Sequence, residues 1–154
     1  MNDVEKAIWL HWKPAQHIRP ADPALHERPG VGLVRDPGEY VAYLAWAEEC
    51  KDVVRLTMLA LASLSTPMNT VQALTYQKQD VLAQKIGRST RQLRTILRRL
   101  EWADEINTFR CDGRGCFGKH GRSLHYYINL PVGASEFDAV AAARTRRRKS
   151  RSRT

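Results

Sequence analysis

The side chains best suited to chemistry are concentrated between residues 85 and 99, where six lysines and arginines occur without an aspartate or glutamate. A guanidinium group presents paired N–H donors, which match paired acceptors such as O6 and N7 of guanine or two oxygens of a phosphate. If residues 89–101 form a helix turning about 100° per residue, one side carries Arg91, Arg94, Thr95 and Arg98, with Thr90 at the exposed N-terminal end. The pattern indicates a surface that binds a polyanion.

This cationic side has two interpretations. A charged helix face is often only a solvated surface, but such faces normally mix both signs of charge. The absence of acids from residue 81 to residue 100 therefore favours binding over mere solubility. Arginine suits guanine, Thr95 suits a thymine methyl group or a phosphate, and Arg99 near the helix end suits a phosphate.

Two short helices and a tight turn are predicted to position these residues. Residues 79–86 have helical spacing and end at Gly87, a residue suited to the positive φ of a tight turn. Ser89 and Gln92 form a capping box that starts a second helix, which reaches about residue 102. The apolar side chains expected to face the core are Leu82, Ile86, Leu93, Ile96, Leu97 and Leu100, with the small Ala83 where the helices cross.

Two strands are predicted after the helix pair, at residues 105–110 and 124–130. The second is rich in aromatic and β-branched residues, and the loop between the strands contains four glycines. The sequence therefore predicts a β-hairpin with a long basic tip.

From about Val53 to Pro131 the chain resembles the winged helix-turn-helix domains of bacterial, phage and plasmid regulators and replication initiators. The resemblance rests on VLAQKIGRSTRQLRTILRRLEWADEI, which covers the helix pair and enters the first wing strand, and on GRSLHYYINLP, the second wing strand. It implies that a leading helix packs behind the pair, that the second helix of the pair enters the major groove, and that the hairpin tip contacts the DNA backbone or minor groove. By this resemblance Arg91, Arg94, Thr95 and Arg98 would contact bases, and Arg114, Lys119 and Arg122 would serve the wing.

Further helices are predicted before the helix pair. Asn2 and Glu5 predict a capped helix over residues 2–12, and five prolines indicate an extended connector over residues 13–38. Residues 40–50 and 52–64 predict two apolar helices or one bent helix, followed by a polar loop up to residue 78. The second of these helices would have Asp52 as its N-cap and an apolar face of Val53, Leu56, Leu59, Ala60 and Leu64.

The predicted fold is α+β and mainly helical, a winged helix-turn-helix with additions at both ends. We expect a proline-rich, partly helical N-terminal extension at residues 1–39 and the winged domain at residues 40–134. Residues 135–154 would form a short helix and a disordered basic tail, because a run of like charges repels itself.

The net charge of the whole chain is +9. The excess of positive charge lies in its second half. Residues 1–77 hold seven cations and nine acids, whereas residues 78–154 hold eighteen cations and seven acids. Such a region attracts nucleic acid because binding releases condensed counterions. The contacts expected with the DNA backbone come from Lys85, Arg88, Ser89, Arg99, Arg114, Lys119, Arg122, Arg146, Arg147, Arg148 and Lys149.

A metal site is the weaker interpretation of the hairpin loop. Cys111, Cys116, His120 and His125 offer four potential zinc ligands within fifteen residues. Four residues separate the cysteines where two is usual, and His125 should lie within the second strand. We therefore expect free thiols, no metal and no other cofactor.

No feature of the sequence predicts an enzyme, a membrane protein or an exported protein. There is no Gly-rich phosphate loop, no nucleophile beside a matched base, and no carboxylate pair in an apolar context that would shift its pKa. No apolar run is long enough to cross a bilayer, and the three cysteines form no disulfide framework. These observations predict a cytoplasmic protein without a small-molecule substrate.

The leading hypothesis is a transcriptional regulator that binds specific double-stranded DNA sequences as a homodimer. The same fold would serve a plasmid or phage replication or partition protein. RNA binding is a third class, which the arginine-rich tail alone would permit, but no aromatic residue interrupts the basic helix face to stack unpaired bases. The candidate dimer contacts, which core packing explains equally well, are Tyr40, Tyr43, Leu44 and Trp46.

Overall fold

A computed structural model describes residues 1–21, 33–69, 71–110 and 124–131. Over these ranges the chain forms an α+β fold of five helices and two small sheets, and about half of the described residues are helical. The helices are α1 (Asp3–His11), α2 (Pro37–Glu49), α3 (Lys51–Ala62), α4 (Gln79–Ile86) and α5 (Thr90–Trp102). The strands are β1 (Ile18–Pro20), β2 (Leu33–Arg35), β3 (Thr66–Pro67), β4 (Gln72–Thr75), β5 (Ile106–Arg110) and β6 (Leu124–Asn129).

The larger sheet is antiparallel throughout, with the strand order β3-β4-β6-β5. Strands β5 and β6 confirm the predicted hairpin, in which Ile106 lies opposite Ile128. Strand β4 pairs on the other side of β6 and places Ala73 opposite Ile128. The prediction of a polar loop before residue 78 was wrong for these residues, because the buried side of β4 consists only of Ala73 and Thr75, which carry little hydrophobic signal.

The main core lies between this sheet and helices α1, α3, α4 and α5. Tyr126 and Ile128 of β6 face the helices, and both are buried. The six apolar residues predicted for the inner faces of the helix pair are all buried, as is Ala83. Burial of a large aliphatic side chain contributes about 1.5–3 kcal/mol, so this core fixes α4 and α5 against the sheet.

The predicted apolar face of α3 is confirmed only in part, since Ala60 is buried and Val53 and Leu59 are partly buried against the main core. Leu56 and Leu64, predicted for the core, are 43% and 63% exposed, whereas Val54, Met58 and Leu61 are fully buried. The buried side of α3 also includes Thr57. Because threonine is polar, the sequence did not indicate that this side of the helix is buried. In the folded chain the Thr57 hydroxyl donates to the backbone oxygen of Val53 at 2.7 Å and is thereby satisfied.

The start of α3 also differs from the prediction. The helix begins at Lys51, so Asp52 lies inside the first turn and is not the N-cap. The residue before it, Cys50, has φ −107° and ψ 26°, a conformation outside the helical region. Helices α2 and α3 are therefore two helices and not one bent helix.

The N-terminal helix is part of the main core. Its predicted capping box is confirmed, because Glu5 N donates to Asn2 Oδ1 at 2.8 Å and Asn2 N donates to Glu5 Oε1 at 2.9 Å. The Asn2 amide also donates to the backbone oxygen of Ala62 at 2.9 Å, which joins the start of α1 to the end of α3. Val4 and Ile8 pack on α3.

The predicted connector contains a short sheet of its own. Strands β1 and β2 are parallel, with Ile18 opposite Leu33. Ile18 is buried in a second core with Ala15, Ala47, Ala103 and Tyr43. This second core attaches the N-terminal segment and α2 to the residue that follows α5.

The aromatic residues suggested as dimer contacts take part in this second core. The ring of Tyr43 lies 5.7 Å from that of Trp46 and 5.8 Å from that of Trp102, and Tyr43 is buried. Tyr40, Leu44 and Trp46 are partly buried against it. Packing within one chain therefore accounts for these four residues.

A buried carboxyl group lies where the two cores meet. Glu105 is 1% exposed, and neither carboxyl oxygen has a well-aligned hydrogen-bond partner in the described part of the chain. Burial raises the pKa of Glu105 to about 8, and the charge of Asp104 adds to the rise, while the nearby N–H groups of Trp12 and Ala15 oppose it. Ala15 and Asp104 both have a positive φ, 60° and 57°, a strained conformation for residues other than glycine.

This arrangement predicts a loss of stability at alkaline pH. Because the pKa of Glu105 is higher in the folded chain than its ordinary 4.5, its contribution is fully present below about pH 4.5 and is lost as the pH rises through about 8. Urea unfolding between pH 5 and pH 9.5 should show this decline, and Glu105→Gln should flatten it. The exposed Glu101→Gln variant is the control and should decline like the unsubstituted protein. An equal decline in Glu105→Gln would contradict the assignment.

Candidate nucleic-acid interface

The turn between α4 and α5 is built by local hydrogen bonds. Gly87 adopts φ +66°, and its N–H donates to the backbone oxygen of Gln84 at 3.1 Å, while Arg88 N donates to that of Ala83 at 3.0 Å. These bonds satisfy carbonyl groups at the end of α4. The predicted capping box at Ser89 is confirmed, since Gln92 N donates to Ser89 Oγ and Ser89 N donates to Gln92 Oε1, both at 3.1 Å.

Helix α5 has one buried side and one charged side, as its sequence predicted. Its four aliphatic residues are buried, whereas Arg91, Arg94, Thr95 and Arg98 are exposed and Thr90 is half-buried. Four exposed residues spaced three or four apart form a stripe along one side of a helix. We refer to Arg91, Arg94, Thr95 and Arg98 as the arginine stripe.

The arginine stripe carries uncompensated charge. In the described part of the chain none of its arginines forms an ion pair, although Glu101 lies on the same helix. The Thr95 hydroxyl donates to the backbone oxygen of Arg91 at 3.2 Å, a bond internal to the helix. Arg94 Nε donates to Gln79 Oε1 at 3.0 Å. Three guanidinium groups on one exposed side create a positive potential that attracts anions.

Two other predicted backbone contacts already have partners within the chain. Lys85 Nζ donates to Gln77 Oε1 at 2.8 Å and to Ser63 Oγ at 3.1 Å, which ties it to the end of α3. The guanidinium carbon of Arg99 lies 4.9 Å from the centre of the Trp46 ring, a cation–π contact. Arg88 and Ser89 are exposed in the turn before α5, beside the arginine stripe.

The remaining predicted contacts lie outside the described residues. These are Arg114, Lys119 and Arg122 of the hairpin loop, Arg146, Arg147, Arg148 and Lys149 of the tail, and the potential ligands Cys111, Cys116 and His120. The fourth potential ligand, His125, lies in β6 as predicted. It is buried, and its ring meets that of Phe109 edge-on at 5.0 Å. Among the described residues no group of three His, Cys, Asp or Glu side chains is placed to hold a metal ion.

Sequence reasoning missed two features of the described structure. One is Gln79, which contacts Arg94 and also Tyr126, residues that are distant in the sequence. The other is the buried carboxyl group of Glu105, since we expected no carboxylate pair in an apolar context that would shift its pKa. Its position between the buried Ala103 and Ile106 was the only local signal.

Comparisons with known proteins add no family to this description. A scan against protein-family models, a search of curated proteins and a search of solved structures each found no match. None of the helices in the described ranges has the length and apolar character required to span a bilayer.

The turn geometry predicts the cost of substituting Gly87. A β-carbon there would meet no atom within 4 Å, so only the backbone conformation opposes a side chain. Gly87→Ala should lower the free energy of unfolding by about 1 kcal/mol, measured by urea denaturation. Gly87→Asn should cost less, because asparagine tolerates positive φ. The turn assignment fails if alanine is tolerated as well as asparagine.

Proposed function

We propose that this chain is a winged helix-turn-helix protein that binds specific sequences of double-stranded DNA and acts as a transcriptional regulator. The observation that carries the proposal is the arginine stripe, which is exposed and without carboxylate partners, among the described residues, on a helix whose other side is buried. Helix α5 enters the major groove, whose width accepts an α-helix. Cytoplasmic location is part of the same proposal.

The order of elements supports this fold. A leading helix (α3), a strand (β4), the helix pair α4 and α5, and the hairpin β5–β6 follow one another along the chain. The leading helix packs on α4, and the hairpin pairs with β4 behind the helices. This arrangement has the parts that the sequence resemblance implies: a helix behind the pair and a wing after it.

The proposed contacts divide into two groups. The arginine stripe and Thr90 contact base edges, where paired N–H donors select guanine. Arg88 and Ser89 contact phosphates at the N-terminus of α5, where the helix dipole also favours an anion. Lys85 has a third ammonium N–H for a phosphate, and Arg99 keeps its in-plane N–H donors while its guanidinium lies over Trp46.

The proposal includes a homodimer, because one helix covers only a few base pairs and two half-sites supply the specificity of a regulator. Tyr43 is committed to the second core of its own chain. The contacts between copies therefore involve other residues. Selection of bound fragments from random duplexes tests this part, since a dimer returns a motif with two-fold symmetry.

Substitution in the arginine stripe tests the assignment of base contacts. Arg91→Ala or Arg98→Ala should each cost about 1–3 kcal/mol on the selected site and relax base choice at one position. Fluorescence anisotropy on the selected duplex and on a scrambled duplex provides the measurement. Arg55→Ala, which removes the same charge from α3 where Arg55 lies over Trp9, is the control. Equal losses on both duplexes would show that the stripe does not distinguish bases.

The basic tail is expected to act on all sequences alike. Residues 144–154 contain seven lysines and arginines and no acid. Their deletion removes this charge and leaves the sequence of α5 unchanged. Affinity should fall equally for selected and scrambled duplexes. The slope of log K against log salt should decrease by about 0.9 for each phosphate that the tail had neutralised. An unchanged slope would exclude the tail from the interface.

A further inference from the structure

The buried hydroxyl group of Tyr126 holds a side chain of α4 in place by a hydrogen bond. Tyr126 lies on β6, between Thr75 of β4 and Thr108 of β5, and its side chain is 1% exposed. A buried hydroxyl requires a hydrogen-bond partner. That partner is Gln79 at the start of α4, whose Nε2 donates to the Tyr126 oxygen at 3.2 Å.

Both polar atoms of the Gln79 side-chain amide form hydrogen bonds. While its nitrogen donates to Tyr126, its oxygen accepts from Arg94 Nε at 3.0 Å. The opposite orientation of the amide would place N–H donors of Gln79 and Arg94 against each other. The two hydrogen bonds therefore fix the orientation of the Gln79 amide. The amide in turn fixes the plane of the Arg94 guanidinium group.

Arg94 keeps the donors that guanine requires. Its Nε–H is used by Gln79, and no described residue accepts a hydrogen bond from its two Nη groups. These terminal groups carry paired N–H bonds that match O6 and N7 of guanine. Arg91 and Arg98 have no comparable side-chain acceptor in the described part of the chain, so they lose more side-chain freedom on forming the same contact.

We propose that Tyr126 and Gln79 position Arg94 as the residue of α5 that selects one guanine in the major groove. This inference rests on the proposed function and adds to it a particular base and a particular residue. Gln79 and Tyr126 are positioning residues, because they act through Arg94. Strand β6 of the wing hairpin thus contributes to base choice through its buried side.

The test compares base preferences after selection from random duplexes. The variants are Gln79→Ala, Tyr126→Phe and Arg94→Ala, with Gln84→Ala as the control, since Gln84 is an exposed glutamine on the same helix. Arg94→Ala should lose preference for guanine at one position of the motif. Gln79→Ala should reduce that preference about tenfold and leave affinity for scrambled duplexes within about twofold. Tyr126→Phe, which keeps the ring, should reduce it less, and Gln84→Ala should not change it.

A conservative variant separates positioning from structure. In Gln79→Glu the carboxylate accepts from Arg94 Nε and from the Tyr126 hydroxyl, so the guanine preference should remain while affinity falls for every duplex. Nitrogen-15 NMR gives a readout without DNA. The Nε–H of Arg94 should exchange slowly with solvent in the unsubstituted protein and several-fold faster in Gln79→Ala.

The outcomes distinguish this inference from the function on which it rests. Loss of guanine preference in Arg94→Ala but not in Gln79→Ala would overturn the positioning role and leave DNA recognition intact. Retention of the preference in Arg94→Ala would overturn the choice of Arg94. Absence of any selected motif with the unsubstituted protein would overturn the proposed function, and this inference with it.

Discussion

The constraint on which the structure depends is that α5 buries one side and cannot bury the other. Leu93, Leu97 and Leu100 lie in the main core, which fixes the rotation of the helix about its axis. The arginine stripe must then face outward, because burying an unpaired guanidinium group would cost several kcal/mol. The capping box at Ser89 fixes where the helix starts and therefore which residues reach that outer side.

The half of the chain without net positive charge supports the half that has it. The end of α5 is held from the N-terminal side by Arg99 over Trp46 and by Tyr43 against Trp102. Its outer side is held from the sheet through Gln79 and Tyr126. Helix α5 is thus restrained by elements from both ends of the sequence, and its orientation relative to the hairpin is a property of the whole fold.

Local signals were sufficient for the helix pair and its exposed side. The capping boxes at Asn2 and Ser89, the glycine at residue 87 and the apolar period of α5 act over four residues or fewer, and all were confirmed. Strand β4 was missed because its pairing with β6 joins residues more than fifty positions apart. The predicted face of α3 was wrong at Leu56 and Leu64, because the packing of α1 and α4 on this helix buries Val54, Met58 and Leu61 instead. The environment of Glu105 likewise depends on Trp12 and Ala15, which lie far away in the sequence.

The two edges of the larger sheet differ in what they offer to another polypeptide. Strand β3 has two residues, and its Pro67 has no N–H with which to continue a ladder of hydrogen bonds. At the opposite edge, β5 has five residues and pairs within the described chain only through β6. Of the two edges formed by described residues, β5 is therefore the one that leaves more backbone N–H and C=O groups for a further strand.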